Sequence, residues 1–193
     1  MLEIFILSIT SFLGTNIDDM IINTFFFSSA KSKKEIRSII LGKYIGIGLL
    51  VLVSVLVSLG LGFLPMKYIG YLGLIPIALG IKEIISNYKK DDDEDSKTEN
   101  IKGSDLIWNV ALVTIANGAD NIGVYIPLFA GFSFIEYAIF CGVFLLLIAL
   151  WCVLGQQIAK LPSLKNMIDR YKKVIVPSIY ILLGLYILLK SAL

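Results

Sequence analysis

The chain has 193 residues, 57% of them hydrophobic, with 17 Lys and Arg against 15 Asp and Glu, two cysteines and no histidine. Soluble domains are about 45–50% apolar; here the excess gathers in charge-free runs such as Tyr44–Met66 and Tyr137–Ala159, each long enough to cross a bilayer core. The net charge of +2 decides little, but the lack of histidine and the two separate thiols exclude a disulfide framework and a zinc site of His or paired Cys, leaving oxygen ligands, or at most one thiolate, for any metal chemistry.

The pattern predicts an all-α integral membrane protein with six transmembrane helices at about 2–29, 38–63, 66–87, 104–131, 134–159 and 172–191. The first begins Met1-Leu2-Glu3, without the basic region and cleavage site of a signal peptide, and is expected to remain as a span. It carries Thr15, Asp18 and Asp19, with Asn23 one turn further. The second is rich in small residues, Gly42, Gly46, Gly48, Gly60 and Gly62, expected to permit close helix contact. Lys43 is placed near its cytoplasmic end. The third and sixth have short charge-free cores, Tyr68–Ile81 and Val174–Leu189, and Lys82 and Lys190 are expected to snorkel to the headgroups.

A charged stretch with the run Asp91–Asp95 separates the third and fourth spans. It cannot bury an apolar face and reads as a solvated linker. The chain thus divides into a first three-helix repeat (1–87), an acidic cytoplasmic linker (88–103) and a second three-helix repeat (104–193). The fourth span carries Asn117, Asp120 and Asn121, then Pro127, whose ring clashes with the Gly123 carbonyl and predicts a kink there. The fifth holds Cys141 and Cys152 on nearly one face, about 16 Å apart along the axis. They read as packing residues, with a soft ligand for cadmium as the other reading.

Basic residues set the orientation. Lys31, Lys33, Lys34 and Arg37 lie in loop 1–2, Lys89, Lys90, Lys97 and Lys102 in loop 3–4, and Lys160, Lys165, Arg170, Lys172 and Lys173 in loop 5–6. Only Lys67 and Lys190 stand opposite. Positive loops stay cytoplasmic, so both termini are expected outside. Three spans per half make the second half an inverted repeat of the first, a transporter plan with its site at the midplane. Thr15-Asn16-Ile17-Asp18-Asp19 aligns with Asn117-Gly118-Ala119-Asp120-Asn121, and Ala78-Leu79-Gly80-Ile81 resembles Leu182-Leu183-Gly184-Leu185.

Asp18, Asp19 and Asp120 are the carboxylates deep inside spans. A central Asp costs on the order of 3 kcal/mol to insert. Thr15, Asp18 and Asp19 are spaced to share a helix face, as are Asn117, Asp120 and Asn121. Hydrogen-bonded helix glue is the plainer reading of such residues, but three acids at matched depth favour a cation or proton pathway. With no intramembrane Arg, a bound cation or protons are the simplest counter-charge. Carboxylate, amide and hydroxyl oxygens suit a divalent ion, and carbonyls of locally unwound helix near Gly14 and Gly118 are further expected ligands.

Gly14-Thr15-Asn16-Ile17-Asp18-Asp19 and, more specifically, Ala116-Asn117-Gly118-Ala119-Asp120-Asn121-Ile122-Gly123-Val124-Tyr125-Ile126-Pro127-Leu128-Phe129 resemble the bacterial cadmium-resistance transporter family of the lysine-exporter superfamily. The resemblance covers essentially the whole chain. It implies a cadmium exporter of the bacterial cell membrane with the inverted three-plus-three plan. It also implies metal ligands at Asp18, Asp19, Asp120 and Asn121, supported by Thr15 and Asn117.

The expected function is proton-coupled export of a divalent ion by alternating access, with Asp18 and Asp120 also carrying the coupled protons. Clustered carboxylates repel one another when empty, which favours proton uptake. Divalent metal ions as cargo and the lipid bilayer are the expected partners, with no nucleic acid, no resident cofactor and no enzymatic reaction. Manganese or zinc as the exported ion remains open, as does a small organic cation or amino acid. A remote alternative is an intramembrane aspartyl protease using Asp18 and Asp120 as a shared-proton pair.

Overall fold

The computed structural model describes residues 1–61, 66–89, 106–160 and 162–192. Among the described residues all regular structure is helical: α1 (Leu2–Asn16), α2 (Asp19–Ser29), α3 (Lys33–Leu61), α4 (Met66–Tyr71), α5 (Leu74–Lys89), α6 (Leu106–Asn117), α7 (Asn121–Phe129), α8 (Phe134–Ile158) and α9 (Pro162–Ala192). The acidic run Asp91–Asp95 lies outside the described residues.

Three helical stretches, α3, α8 and Lys173–Lys190 of α9, are long and apolar enough to cross a membrane, and α1 with α2 makes a fourth across a 68° bend. The remaining expected spans each divide into two shorter helices, α4 with α5 and α6 with α7. Polarity is inverted relative to a soluble bundle. Helix α3 buries Lys43, Ser54 and Ser58 and exposes Leu41, Leu49, Leu52 and Leu56. Helix α8 exposes Leu145, Leu146, Leu150 and Val153. Apolar residues all round mark a helix in lipid rather than water, and the chain is a multi-pass membrane protein.

Two of the long helices start from the same local device. Ser133 and Glu136 form a reciprocal capping box at the head of α8. At the head of α3, the Ser32 hydroxyl accepts from the Glu35 N–H at 3.2 Å and the Glu35 carboxylate accepts from the Lys31 N–H at 2.6 Å. Each satisfies donors that a helix start leaves orphaned.

The long helices pack in crossed pairs. Helices α1 and α2 lie on α8, α6 and α7 on α3, and α4 and α5 on α9. Glycine sets the close approaches. A Cβ on Gly42 would lie 2.6 Å from the Ile107 carbonyl, and one on Gly46 would lie 2.7 Å from Thr114 Cβ. Gly48, Gly60 and Gly142 have nothing within 4 Å of that position. The expectation of close packing therefore holds at Gly42 and Gly46 but not at Gly48 or Gly60, which sit on the exposed side; Gly62 lies outside the described residues. Gly73, in the turn just before α5, and Gly184 of α9 meet face to face, each with its Cβ position within 2.6 Å of the other's carbonyl oxygen.

The described start of α1 and the end of α9 share one side of the molecule. Glu3 pairs with Lys190 at 3.7 Å and accepts a hydrogen bond from the Tyr186 hydroxyl. Along α1, Ser8, Ser11 and Thr15 are buried, and each hydroxyl donates back to a carbonyl of its own helix, to Ile4 at 2.6 Å, Leu7 at 2.7 Å and Ser11 at 2.8 Å.

One expectation is corrected here. The sixth span was expected at 172–191 with a basic loop before it. Instead α9 begins at Pro162, so Lys165, Arg170, Lys172 and Lys173 ride on a helix. Proline is favoured in a first helical turn, where its missing donor costs nothing.

Candidate cation site

Both sequence motifs fall where a helix breaks. Helix α1 stops at Asn16 and α2 restarts at Asp19; α6 stops at Asn117 and α7 restarts at Asn121. Asp18 is the N-cap of α2, and its Oδ1 accepts from the Asp19 N–H at 2.8 Å. Asp120 is the N-cap of α7. Aspartate favours this position because its short carboxylate competes for backbone donors and meets the positive end of the helix. The expectation of one continuous helix face for Thr15, Asp18 and Asp19, and for Asn117, Asp120 and Asn121, is therefore corrected: each set straddles a break. The predicted kink at Gly123 is displaced to Gly118–Asp120, and Gly123 begins a regular first turn with its N–H on the Asp120 carbonyl at 2.9 Å.

Gly118 explains part of that displacement. A Cβ there would lie 2.8 Å from Asn121 Nδ2 and 2.7 Å from Leu50 Cδ1. The absent side chain leaves room for the Asn121 amide to lie across the break. Asn121 is buried, and its Oδ1 accepts from the Tyr180 hydroxyl at 3.4 Å. Asn117 and Asp18 are half-buried, and Asp120 is exposed.

Tyr125 ties the two broken helices together. It is fully buried on α7, and its hydroxyl lies 2.6 Å from Thr15 Oγ1 and 3.4 Å from Asn16 Nδ2. Thr15 and Asn16 sit at the end of α1. Asp18 and Asp120 both act electrostatically on Tyr125 and on Tyr180, so the two acids share a neighbourhood. Lys82 of α5 is also within electrostatic reach of Asp120. On the other side of Tyr125 lies an aromatic cluster of Phe129, Phe140 and Phe144, with Phe12 and Trp151 continuing it.

The first break is stitched to α8. Trp151 Nε1 donates to the Asn16 carbonyl at 3.0 Å, and Asn23 Nδ2 donates to the Trp151 carbonyl at 3.1 Å. Carbonyls of unwound helix near Gly14 were expected as extra cation ligands; the Asn16 carbonyl at this break accepts the indole N–H.

Asp19 has a protein counter-charge that the sequence reading did not assign. Lys43 is 1% exposed, and its Nζ lies 2.5 Å from Asp19 Oδ2. Lys43 was placed near a span end. Yet Asp19 precedes the end of α2 at Ser29 by as many residues as Lys43 follows the start of α3 at Lys33, about 15 Å in each case at 1.5 Å per residue. The hairpin thus holds the two at one depth.

Among the described residues no three His, Cys, Asp or Glu side chains converge as a metal cage. A cation at these breaks would draw on amide and hydroxyl oxygens as well as carboxylates. Tyr125, Tyr180, Trp151 and Lys43 are the neighbours that sequence reasoning missed. Lys43 alone left a signal, as the one charged residue of the expected span 38–63.

A family model described as cadmium resistance transporter matches residues 12–193. Neither a curated protein nor a solved structure matches the chain. The matched region includes both broken motifs and every helix that packs around them, and the chain belongs to the cadmium resistance transporter family.

Proposed function

We propose that this protein exports divalent metal ions, cadmium foremost, from the bacterial cytoplasm by alternating access, with one ion held between the two helix breaks. The observation that carries the reading is the matched position of Asp18 and Asp120, each the residue from which a broken helix restarts, at breaks joined through Tyr125. An acid at a membrane-embedded helix break needs a positive guest or a proton. Helix breaks at the midplane are where transporters of this architecture hold their ions. Asp18, Asp120 and Asn121 are the proposed core ligands, with Asn117 and Thr15 in support. Asp19 joins them once its bond to Lys43 is released.

The proposed plan is six crossings in two inverted repeats. Its support is reciprocal packing: the first broken span lies on α8, and its counterpart in the second half lies on α3. The capping devices at the heads of α3 and α8 agree with it. Both termini are proposed to face outward, on the basic-loop argument. The aromatic cluster around Phe129 and Phe140 would then close the outer half, leaving the ion to approach from the cytoplasm. Protons returning through Asp18 and Asp120 would displace the metal and reset the carrier.

The experiment is transport in proteoliposomes across a panel of cadmium, zinc and manganese with an imposed pH gradient. Wild type should move cadmium against a proton gradient. Asp120→Asn, expressed at the wild-type level, should not. Undiminished cadmium transport by that variant would remove Asp120 from the site. Manganese preferred over cadmium would assign the other ion, which an oxygen-only donor set also accepts.

A further inference from the structure

Beside the two N-cap aspartates lies a buried polar cluster around Asp19 whose ion pair and unused oxygens the transport reading leaves unexplained. It comprises Asp19 and Asn23, one turn apart on α2, Lys43 on α3, and the Trp151–Gly155 turn of α8. Asp19 is 4% exposed, Asn23 0% and Lys43 1%. Asn23 is pressed into the α8 turn: a Cβ on Gly155 would lie 2.6 Å from its Nδ2. The Cys152 thiol, in that same turn, is within electrostatic reach of both Lys43 and Asp19. Lys43 Nζ holds Asp19 Oδ2. Two oxygens of the cluster have no partner, Asp19 Oδ1 and Asn23 Oδ1.

Those two orphans are the informative feature. An unpartnered buried acceptor costs about 1–3 kcal/mol, and more when charged. A lysine pair placed only to glue helices would be expected to have its remaining lone pairs filled as well. Here a carboxylate and an amide carry unused acceptors beside a monovalent cation on a flexible stem. A divalent ion seeks this kind of oxygen set, and an ammonium occupies it as a compact point charge.

We propose that Lys43 is a resident counter-ion: in the metal-free protein its ammonium neutralises Asp19 in a cluster that keeps two unused oxygens, on Asp19 and Asn23, and the transported divalent ion displaces it. The inference rests on the export reading and deepens it. An ion in this cluster would meet the Asp19 carboxylate and the Asn23 amide oxygen, both left without a partner on one of their oxygens, once the ammonium has moved off. Lys43 then keeps the empty carrier from holding adjacent uncompensated acids in the membrane. It also sets a threshold, since the cargo must outcompete a tethered cation.

The test uses the full chain in nanodiscs with cadmium ions as the probe. Wild type, Lys43→Gln and the charge-neutral double variant Asp19→Asn/Lys43→Gln are titrated by calorimetry. Lys43→Gln should bind cadmium at least tenfold more tightly, because its competitor is gone. The double variant, which keeps a hydrogen-bonding pair of similar shape, should fold and bind at least tenfold more weakly than wild type. A double variant that binds and exports like wild type would make the pair structural and overturn the proposal. In case Lys43→Gln does not fold, acylation of wild-type lysines by a membrane-permeant reagent, mapped by peptide mass, gives a second readout. Lys43 should be protected without cadmium and labelled with it, and protection unchanged by cadmium would also overturn the proposal. Failure of wild type to bind cadmium at all would remove the export reading itself, a result distinct from either of these.

Discussion

Replacing Gly184 by alanine should pry α9 away from α5. The added Cβ would lie 2.4 Å from the Gly73 carbonyl oxygen and 2.6 Å from Ile77 Cγ1. The first obstacle is backbone and cannot rotate aside, so restoring ordinary contact requires the helices to separate by about 1 Å. A gap of that size forfeits roughly a quarter to a half of each dispersion contact along the interface. The cost therefore falls near the upper end of overpacking, about 3 kcal/mol, or roughly 6–12 °C in melting temperature for a chain of this length. Gly73→Ala meets the Gly184 carbonyl at 2.6 Å and should behave alike. The double variant should cost less than the two singles added, because one displacement relieves both clashes. Thermal unfolding in nanodiscs, read as the loss of the monodisperse peak after heating, measures the shift. Melting of either single variant within about 2 °C of wild type, under 1 kcal/mol, would refute the close approach of these helices.

Tyr125→Phe should cost only about 0.5–1.5 kcal/mol, because Thr15 keeps its bond to the Ser11 carbonyl and Asn16 its bond to the Phe12 carbonyl; thermal unfolding checks the stability, and cadmium export should fall because the two breaks lose their tie. Trp151→Phe leaves the Asn16 carbonyl without its indole donor, a loss of about 1–3 kcal/mol that thermal unfolding in nanodiscs should register. Gly48→Ala and Gly60→Ala meet open space and should be neutral or stabilising by up to about 1 kcal/mol through helix propensity, with export unchanged in the proteoliposome assay.

Bilayer length and charge distribution were enough to locate the helical segments. The first expected span, 2–29, coincides with α1 and α2 together, and 134–159 lies within one residue of α8. Asp18, Asp19 and Asp120 could be singled out because a carboxylate in an apolar run is costly wherever it lies, and Asn121 because it shares a motif with Asp120. Gly14 and Gly118 hinted at local unwinding beside each motif, but the sequence did not supply where each helix stops and restarts. An i, i+4 spacing describes a continuous helix, and nothing in Thr15-Asn16-Ile17-Asp18-Asp19 announces a bend without the Trp151 donor that supports it from α8. Lys43 could be read as a charge inside its span, but its partner could not, because the contact with Asp19 is made only when α2 and α3 fold against each other. Tyr125 and Tyr180 were hidden because an aromatic in a membrane helix is ordinary, and only tertiary contact gives their hydroxyls a purpose.

The serine and threonine stripe on α1 bears on how such a carrier can move. Ser8 and Ser11 spend their hydroxyl protons on their own helix, so this polar edge asks little of its neighbours. In hydrocarbon that stretch can shift against its neighbours without stranding a serine hydroxyl. Resistance to such a shift lies at the two ends of α1: in Glu3, held to α9 by Tyr186 and Lys190, and in the Thr15 contact to Tyr125 and the Trp151 bond to Asn16. The middle of the helix is the bearing, and its ends are the latches.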